Sequence, residues 1–139
     1  MDGHQMPAHG SFGWTEIASG NLEKCKSFYA NVFGWNYGGG AAAAEGGMEY
    51  AEFRIGDTSP MGGIYEISRE LCGEGELPPP HFVNYIVVDD VHLLTTRAFD
   101  LGATIIRPPT PVSNVGTMSM IKDPAGAMIA FITLDGGGN

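Results

Sequence analysis

Positive charge is scarce in this chain of 139 residues: seven Lys and Arg stand against 16 Asp and Glu, a formal net charge of −9 with His neutral. A surface so poor in cations lacks the basic face that nucleic acid and anionic membranes require, so neither is expected as a partner. It favours a neutral or cationic small ligand instead. Long apolar runs are missing as well, and nothing approaches the roughly 20 residues that cross a bilayer. The opening residues Met1-Asp2-Gly3-His4-Gln5 show no basic region followed by an apolar stretch, which is not the pattern of a secretion signal. A cytoplasmic location is expected. The two cysteines, Cys25 and Cys72, have neither metal nor redox spacing, and both are expected as free thiols in a reducing compartment. Gly38-Gly39-Gly40 and Gly136-Gly137-Gly138 lead into no helix and are not phosphate loops. No Ser, His and Asp spacing suggests a nucleophile elbow.

What the chain does contain is a repeat. Trp14 to Gly34 reads as strand, turn and helix, and Val83 to Gly102 repeats that order. Strand-like segments follow each helix, closing with Met61 to Ile67 and with Met128 to Leu134. In the first copy the strand Phe12 to Ala18 precedes a helix capped by Asn21 and stopped by Gly34. Leu22, Cys25, Phe28, Tyr29 and Val32 form its apolar stripe. Trp35-Asn36-Tyr37 opens a second strand that dissolves into glycines and alanines, and Met48 to Ile55 is a third. In the second copy the strand Phe82 to Val88 leads to a helix over Val91 to Leu101 with Asp90 as N-cap. Strands follow at Ala103 to Arg107, Gly116 to Lys122 and Ala127 to Leu134. Pro108 to Val115 is read as a loop, and Asp123-Pro124-Ala125-Gly126 as a tight turn. The expected organisation is a flexible arm (1–10), one domain (11–134) and a flexible tail (135–139). Within the domain lie module one (11–67), a linker (68–80) ending in Pro78-Pro79-Pro80, and module two (81–134).

The order of these segments, with Phe28-Tyr29-Ala30-Asn31-Val32-Phe33-Gly34-Trp35 in one half and Val87-Val88-Asp89-Asp90 plus Asp123-Pro124-Ala125-Gly126 in the other, resembles the vicinal oxygen chelate superfamily. That group holds glyoxalase I, bleomycin-resistance proteins and extradiol dioxygenases, and the nearest likeness is to its glyoxalase-like branch. The resemblance implies an α+β fold of two βαβββ modules, each curling its sheet into half of a cup, and a homodimer. It also implies divalent-metal ligands, His or Gln on the first strand and Glu on the last strand of each module. Those positions fall on Trp14 and about Gly63 in module one, and on Val83 and Ala130 in module two. None of the four carries a side-chain lone pair suited to a metal, so neither metal nor other cofactor is expected.

Alternation along strands then fixes which side chains line the cup. Trp14 brings Phe12 and Glu16; Gly63 brings Met61 and Tyr65; Val83 brings Tyr85 and Val87; Ala130 brings Met128 and Ile132. The opposite faces, with Ile17, Ile86, Val88, Ile129 and Phe131, are expected against the helices. The expected ligand-binding set is Trp14, Glu16, Met61, Tyr65, His81, Tyr85 and Met128, an aromatic and thioether lining that suits an apolar or planar molecule. Glu16 reads either as a carboxylate raised in pKa by an apolar cup or as the partner of Arg54, Arg69 or Arg107. His81 reads as a pocket-rim group or an ordinary loop residue, and Trp35 as core. Met118 and Met120 read as packing, and Asp89-Asp90 beside His92 as helix capping. The reading favoured is a small-molecule-binding protein without the family metal. The alternative is a metal-independent isomerase or epimerase with Glu16 as general base and His81 or Tyr85 as acid. A metal-dependent lyase or dioxygenase ranks below both.

Overall fold

The computed structural model describes residues 8–39, 50–68, 77–112 and 115–135. His4, the glycine-alanine stretch after Gly39, Cys72, most of the expected linker and the glycine tail lie outside them. The elements run β1 (Phe12–Ser19), α1 (Leu22–Phe33), β2 (Asn36–Gly39), β3 (Tyr50–Arg54) and β4 (Gly62–Glu66). They continue as β5 (His81–Val87), α2 (Val91–Asp100), β6 (Thr104–Val112), β7 (Gly116–Lys122) and β8 (Met128–Leu134). The chain is α+β, built of two βαβββ modules. It divides into two compact units, Trp14–Val83 and Asn84–Asn139 with Met1–Gly13.

In module one the strands lie in the order β2-β3-β4-β1. β1 and β4 are parallel, with Glu16 opposite Gly63 and Ile17 opposite Ile64; the other pairs are antiparallel. Asn21 caps α1, its Oδ1 accepting from the Lys24 N–H at 3.0 Å, and Glu66 Oε1 takes the Leu22 N–H at 2.8 Å. Two of the helix's orphan donors are thereby satisfied. Gly34 ends it in the left-handed region at φ 77°. One face of the sheet packs against α1: Ile17, Leu22, Ala51, Phe53 and Ile64 are buried together, with Cys25, Tyr29 and Trp35 against them. Full burial of side chains such as Phe53 and Ile64 stabilises by roughly 1.5–3 kcal/mol each. Trp35 stacks on Phe53 at 4.3 Å between ring centroids and is a core residue. Phe28 and Val32, at the flank of the helical stripe, are 58% and 53% exposed, so the buried stripe is narrower than the periodicity suggests.

Module two has the order β5-β8-β7-β6. β5 and β8 are parallel, with Tyr85 opposite Ala130. Asp90 caps α2 through the Leu93 N–H at 3.1 Å. The Thr133 hydroxyl accepts from the Val91 N–H at 2.9 Å and donates to the Val88 carbonyl at 3.0 Å, fixing the helix start to the face of β8 that carries Phe131. The segment Pro108 to Val112, read as loop, belongs to β6, which breaks register near Arg107. An edge strand tolerates Pro108, Pro109 and Pro111 because some of its N–H groups face no partner. In the described part of the N-terminal arm the Gly10 N–H donates to Val87 O, and the Val87 N–H to Ser11 O. His9 Nδ1 accepts from the Asp89 N–H at 3.0 Å. Its 3.6 Å approach to the Asp89 carboxylate becomes an ion pair only if that nitrogen gains a proton and gives up the N–H contact.

Candidate functional site

The face of the module-one sheet turned away from α1 carries a directional chain of hydrogen bonds. Strand alternation places Trp14 and Glu16 of β1 on this face. Register then adds Gly63 and Tyr65 of β4 and Tyr50 and Glu52 of β3. Trp14 Nε1 donates to the Tyr50 hydroxyl at 3.0 Å, and that hydroxyl donates to Glu16 Oε2 at 2.9 Å. Its direction is forced: an indole N–H can only donate, a carboxylate can only accept, and a phenol does one of each. The Tyr50 and Tyr65 rings lie nearly parallel, 10° apart at 6.5 Å. All four side chains are half-buried, so the face combines aromatic planes with one fixed carboxylate.

Gly63 is the position that lets this happen. A Cβ there would collide with the Tyr50 hydroxyl and ring. The position to which the resemblance assigns a metal-binding carboxylate therefore carries no side chain, and a phenol fills its space. Glu16, rather than Trp14, stands directly across from Gly63, and Tyr85, rather than Val83, across from Ala130. Each shift is two residues and leaves the face unchanged. Among the described residues no three His, Cys, Asp or Glu converge as metal ligands. The donor set on this face, the carboxylates of Glu16 and Glu52 with the phenols of Tyr50 and Tyr65, holds no imidazole and does not fit the family's metal.

The other expected site residues are placed differently. Met61, just before β4, packs partly buried with the α1-side cluster. His81 lines a shallow cleft of about 170 Å³ formed with Ile17 to Gly20, Cys25 and Tyr29. Its Nδ1 lies 2.7 Å from the Pro79 carbonyl; a carbonyl only accepts, so that nitrogen carries the proton. Tyr85 is buried, in line with Ala130 and beside Val87 and Ile132, which are buried too. Met128 is half-buried where β8 begins, opposite Lys122. Met118 is buried as packing, and His92 is exposed on the first turn of α2. Cys25 is a free thiol, half-buried. Burial, then the nearby Cys25, push the Tyr29 phenol up from its usual pKa, and the Tyr37 phenol rises for the same reasons with Tyr29 added. Tyr37 donates to the Lys26 carbonyl at 2.8 Å.

Tyr50 and Glu52 were not among the residues singled out from sequence. The strand holding them was legible, but not the register that sets Tyr50 over Gly63. The available signal was a glycine at a closing-strand position, which implies a large neighbour using the space.

Comparison with known proteins agrees with this architecture. "Putative glyoxylase CFP32" of Mycobacterium tuberculosis is 28% identical over 122 residues, covering 88% of this chain and 45% of that protein. "Anthracycline biosynthesis protein DnrV" of Streptomyces peucetius is 27% identical over 132 residues, covering 88% of this chain and 46% of that protein. The chain thus spans under half the length of these relatives. A Bacillus halodurans protein of hypothetical function, BH1468, superposes with a TM-score of 0.64 at 18% identity, covering 91% of this chain and 95% of that one, a likeness of fold. Residues 11–131 match the Glyoxalase/Bleomycin resistance protein/Dioxygenase superfamily, and the chain belongs to that family.

Proposed function

We propose that this chain binds a small, planar or largely apolar organic molecule on the module-one face, with no metal taking part. The observation that carries the reading is the Trp14–Tyr50–Glu16 chain of hydrogen bonds over Gly63. Aromatic rings held in place by their own polar groups lose little entropy when a flat ligand stacks on them. Trp14 and Tyr65 supply planes, and Glu16 orients a polar end. Met61, His81, Tyr85 and Met128 remain candidate ligand-binding residues outside this chain of hydrogen bonds. A relative named for anthracycline biosynthesis lends weight to a flat aromatic ligand.

The test is native mass spectrometry of freshly purified protein, with metal analysis alongside. A mass free of stoichiometric divalent metal, and a bound organic compound released on denaturation, is the expected result. One divalent ion per chain, retained after removal of the arm bearing His4 and His9, would refute it.

A second reading is a metal-independent isomerase or epimerase. It is favoured by one contact: Tyr50 places an O–H beside Glu16, so a general base and a proton donor sit within hydrogen-bond reach of each other. Glu16→Gln separates the two. An enzyme loses turnover and keeps binding; a sequestering protein has no turnover to lose and weakens in binding. The dimer and the cytoplasm complete the proposal. Phe28, Val32 and Phe33 leave an apolar strip of α1 more than half exposed, which a second copy would cover, and the free Cys25 suits a reducing compartment.

A further inference from the structure

We infer that the cleft on the α1 side of module one is a second binding site, one that takes a neutral single-ring aromatic molecule bearing a hydroxyl or a ring N–H. The inference goes beyond the reading above, because it concerns the opposite face of the sheet. Ile17 of β1 lines the cleft and belongs to the buried α1-side cluster, against which Cys25 and Tyr29 pack. Its neighbour Glu16 lies on the other face. Pro80, His81 and Phe82 line the cleft from the start of β5. The volume of about 170 Å³ is close to the roughly 150 Å³ of apolar cavity that accepts a benzene ring. The rings of Tyr29 and Phe82 stand edge to face, 6.4 Å between centroids, and a third ring extends such a cluster by the same kind of contact.

The polar groups set the ligand's chemistry. The Nδ1–H of His81 is committed to the Pro79 carbonyl at 2.7 Å, so in the neutral ring Nε2 is an acceptor. Among the described residues no hydrogen bond reaches Nε2 or the Tyr29 hydroxyl. Burial, then the nearby Cys25, push the Tyr29 phenol up from its usual pKa, which keeps it a donor at neutral pH. Ser19, the other hydroxyl lining the cleft, is buried and already accepts the Asn21 N–H at 3.0 Å. A ligand O–H or N–H therefore finds its acceptor in His81, and the same ligand's oxygen or second ring nitrogen accepts from Tyr29. The described residues that line the cleft include no Asp, Glu, Lys or Arg, so an ionised ligand would give up hydration without meeting a counter-charge. A ligand with no donor would cover Nε2 and leave it unpaired.

Two matched pairs of probes test this: phenol against anisole, and pyrazole against 1-methylpyrazole. Methylation removes the donor and keeps the ring. Each is titrated into isotope-labelled protein and followed by NMR at about pH 8, above the usual titration range of imidazole. The amides of Gly20, Cys25 and Phe82 should shift saturably at millimolar ligand, with each donor binding about three- to tenfold tighter than its methylated partner. Phenol should also slow alkylation of Cys25 by iodoacetamide, read by peptide mass spectrometry. His81→Phe keeps a ring and removes the acceptor, and should bring each pair within about twofold. His81→Gln, whose amide oxygen accepts, should restore part of the gap; circular dichroism checks that both variants fold. Equal affinity within each pair overturns the inference, as does a preference that survives His81→Phe. Shifts centred on the Trp14 indole rather than on Gly20 and Cys25 overturn it and leave the module-one reading standing. Failure of all four probes to saturate overturns it, again without touching that reading. Protection of Cys25 that grows with protein concentration alone overturns it as well, because a second copy would then occupy the cleft.

Discussion

Gly63→Ala is a one-methyl change whose effect on stability should reverse sign when Tyr50 is absent. An alanine Cβ would overlap the Tyr50 hydroxyl and ring, and because those atoms are the far end of a side chain, the ring can swing away. The cost is then what the ring gives up. The bond from Trp14 is worth about 1 kcal/mol and the charge-assisted bond to Glu16 about 1.5–3, with the lower end apt for half-buried groups. Against this, replacing a strand glycine by alanine returns roughly 0.5–1 kcal/mol of chain entropy. The net for Gly63→Ala is a loss of about 2 kcal/mol, or roughly 6–10 °C in Tm for a domain of this size. In a Tyr50→Ala background only the entropy gain is left, so the same change should stabilise by about 0.5–1 kcal/mol. Urea denaturation of the four proteins closes a double-mutant cycle with a coupling near 3 kcal/mol. Equal effects in the two backgrounds, a coupling below about 0.5, would show that Tyr50 does not occupy the space over Gly63, and the site would have to be rebuilt.

Thr133→Val keeps the shape of the side chain but orphans the Val91 N–H and the Val88 carbonyl, both on buried residues. A loss of about 1–3 kcal/mol in urea denaturation is expected, and a neutral outcome would mean that other groups or water satisfy the helix start. Glu16→Gln should leave Tm within a few degrees in thermal unfolding, because the amide oxygen can still accept from the Tyr50 hydroxyl; a collapse of Tm would make Glu16 structural. Asp123 accepts the N–H groups of Ala125 and Ala127 at 2.9 and 3.0 Å. The Ala127 contact, then the Ala125 contact, hold its carboxyl below the usual value of 3.8. A depressed folded-state pKa stabilises above the unfolded value and is lost as pH falls through the folded one. The Tm gap between wild type and Asp123→Ala should therefore amount to a few degrees near pH 6 and shrink steadily below pH 3.8. A gap that is constant with pH would mean that the charge of the turn contributes nothing.

The sequence carried what depends on local pattern. Helix caps at Asn21 and Asp90, the stop at Gly34 and the duplicated strand-helix order are statements about neighbours a few residues apart, and such neighbours constrain one another directly. Register is a different kind of information. That Glu16 faces Gly63 follows from pairing over 47 positions, which alternation alone does not fix; alternation grouped Trp14 with Glu16 and Gly63 with Tyr65 and missed Tyr50, the residue from another strand that fills the space over Gly63. The same gap explains β6. Its prolines read as loop because proline is costly in a paired strand, and only the position of β6 at the end of the strand order makes them tolerable. Met61, expected to line the cup, packs against the α1-side cluster, a contact that alternation along the strand does not foretell.

Equivalent positions in the two modules have taken opposite chemistry, and this asymmetry bears on where a ligand binds. Module one has Trp14, Glu16 and Gly63 where module two has Val83, Tyr85 and Ala130. The module-two set is buried, with Ala130 fully so and Tyr85 at 8% exposure. A face of that kind gains stability by being covered and has little reason to open. In module one Trp14 and Glu16 are half-buried and joined through Tyr50 by hydrogen bonds from indole to phenol to carboxylate. Leaving a carboxylate and two aromatic rings partly exposed sacrifices packing energy that the sister module collects, without any return in core burial. Selection for stability alone would favour the apolar solution in both copies. The polar-aromatic solution survives in one, which is the expected mark of a face kept for recognition, and it directs the first ligand searches to Trp14, Tyr50 and Glu16 rather than to Tyr85.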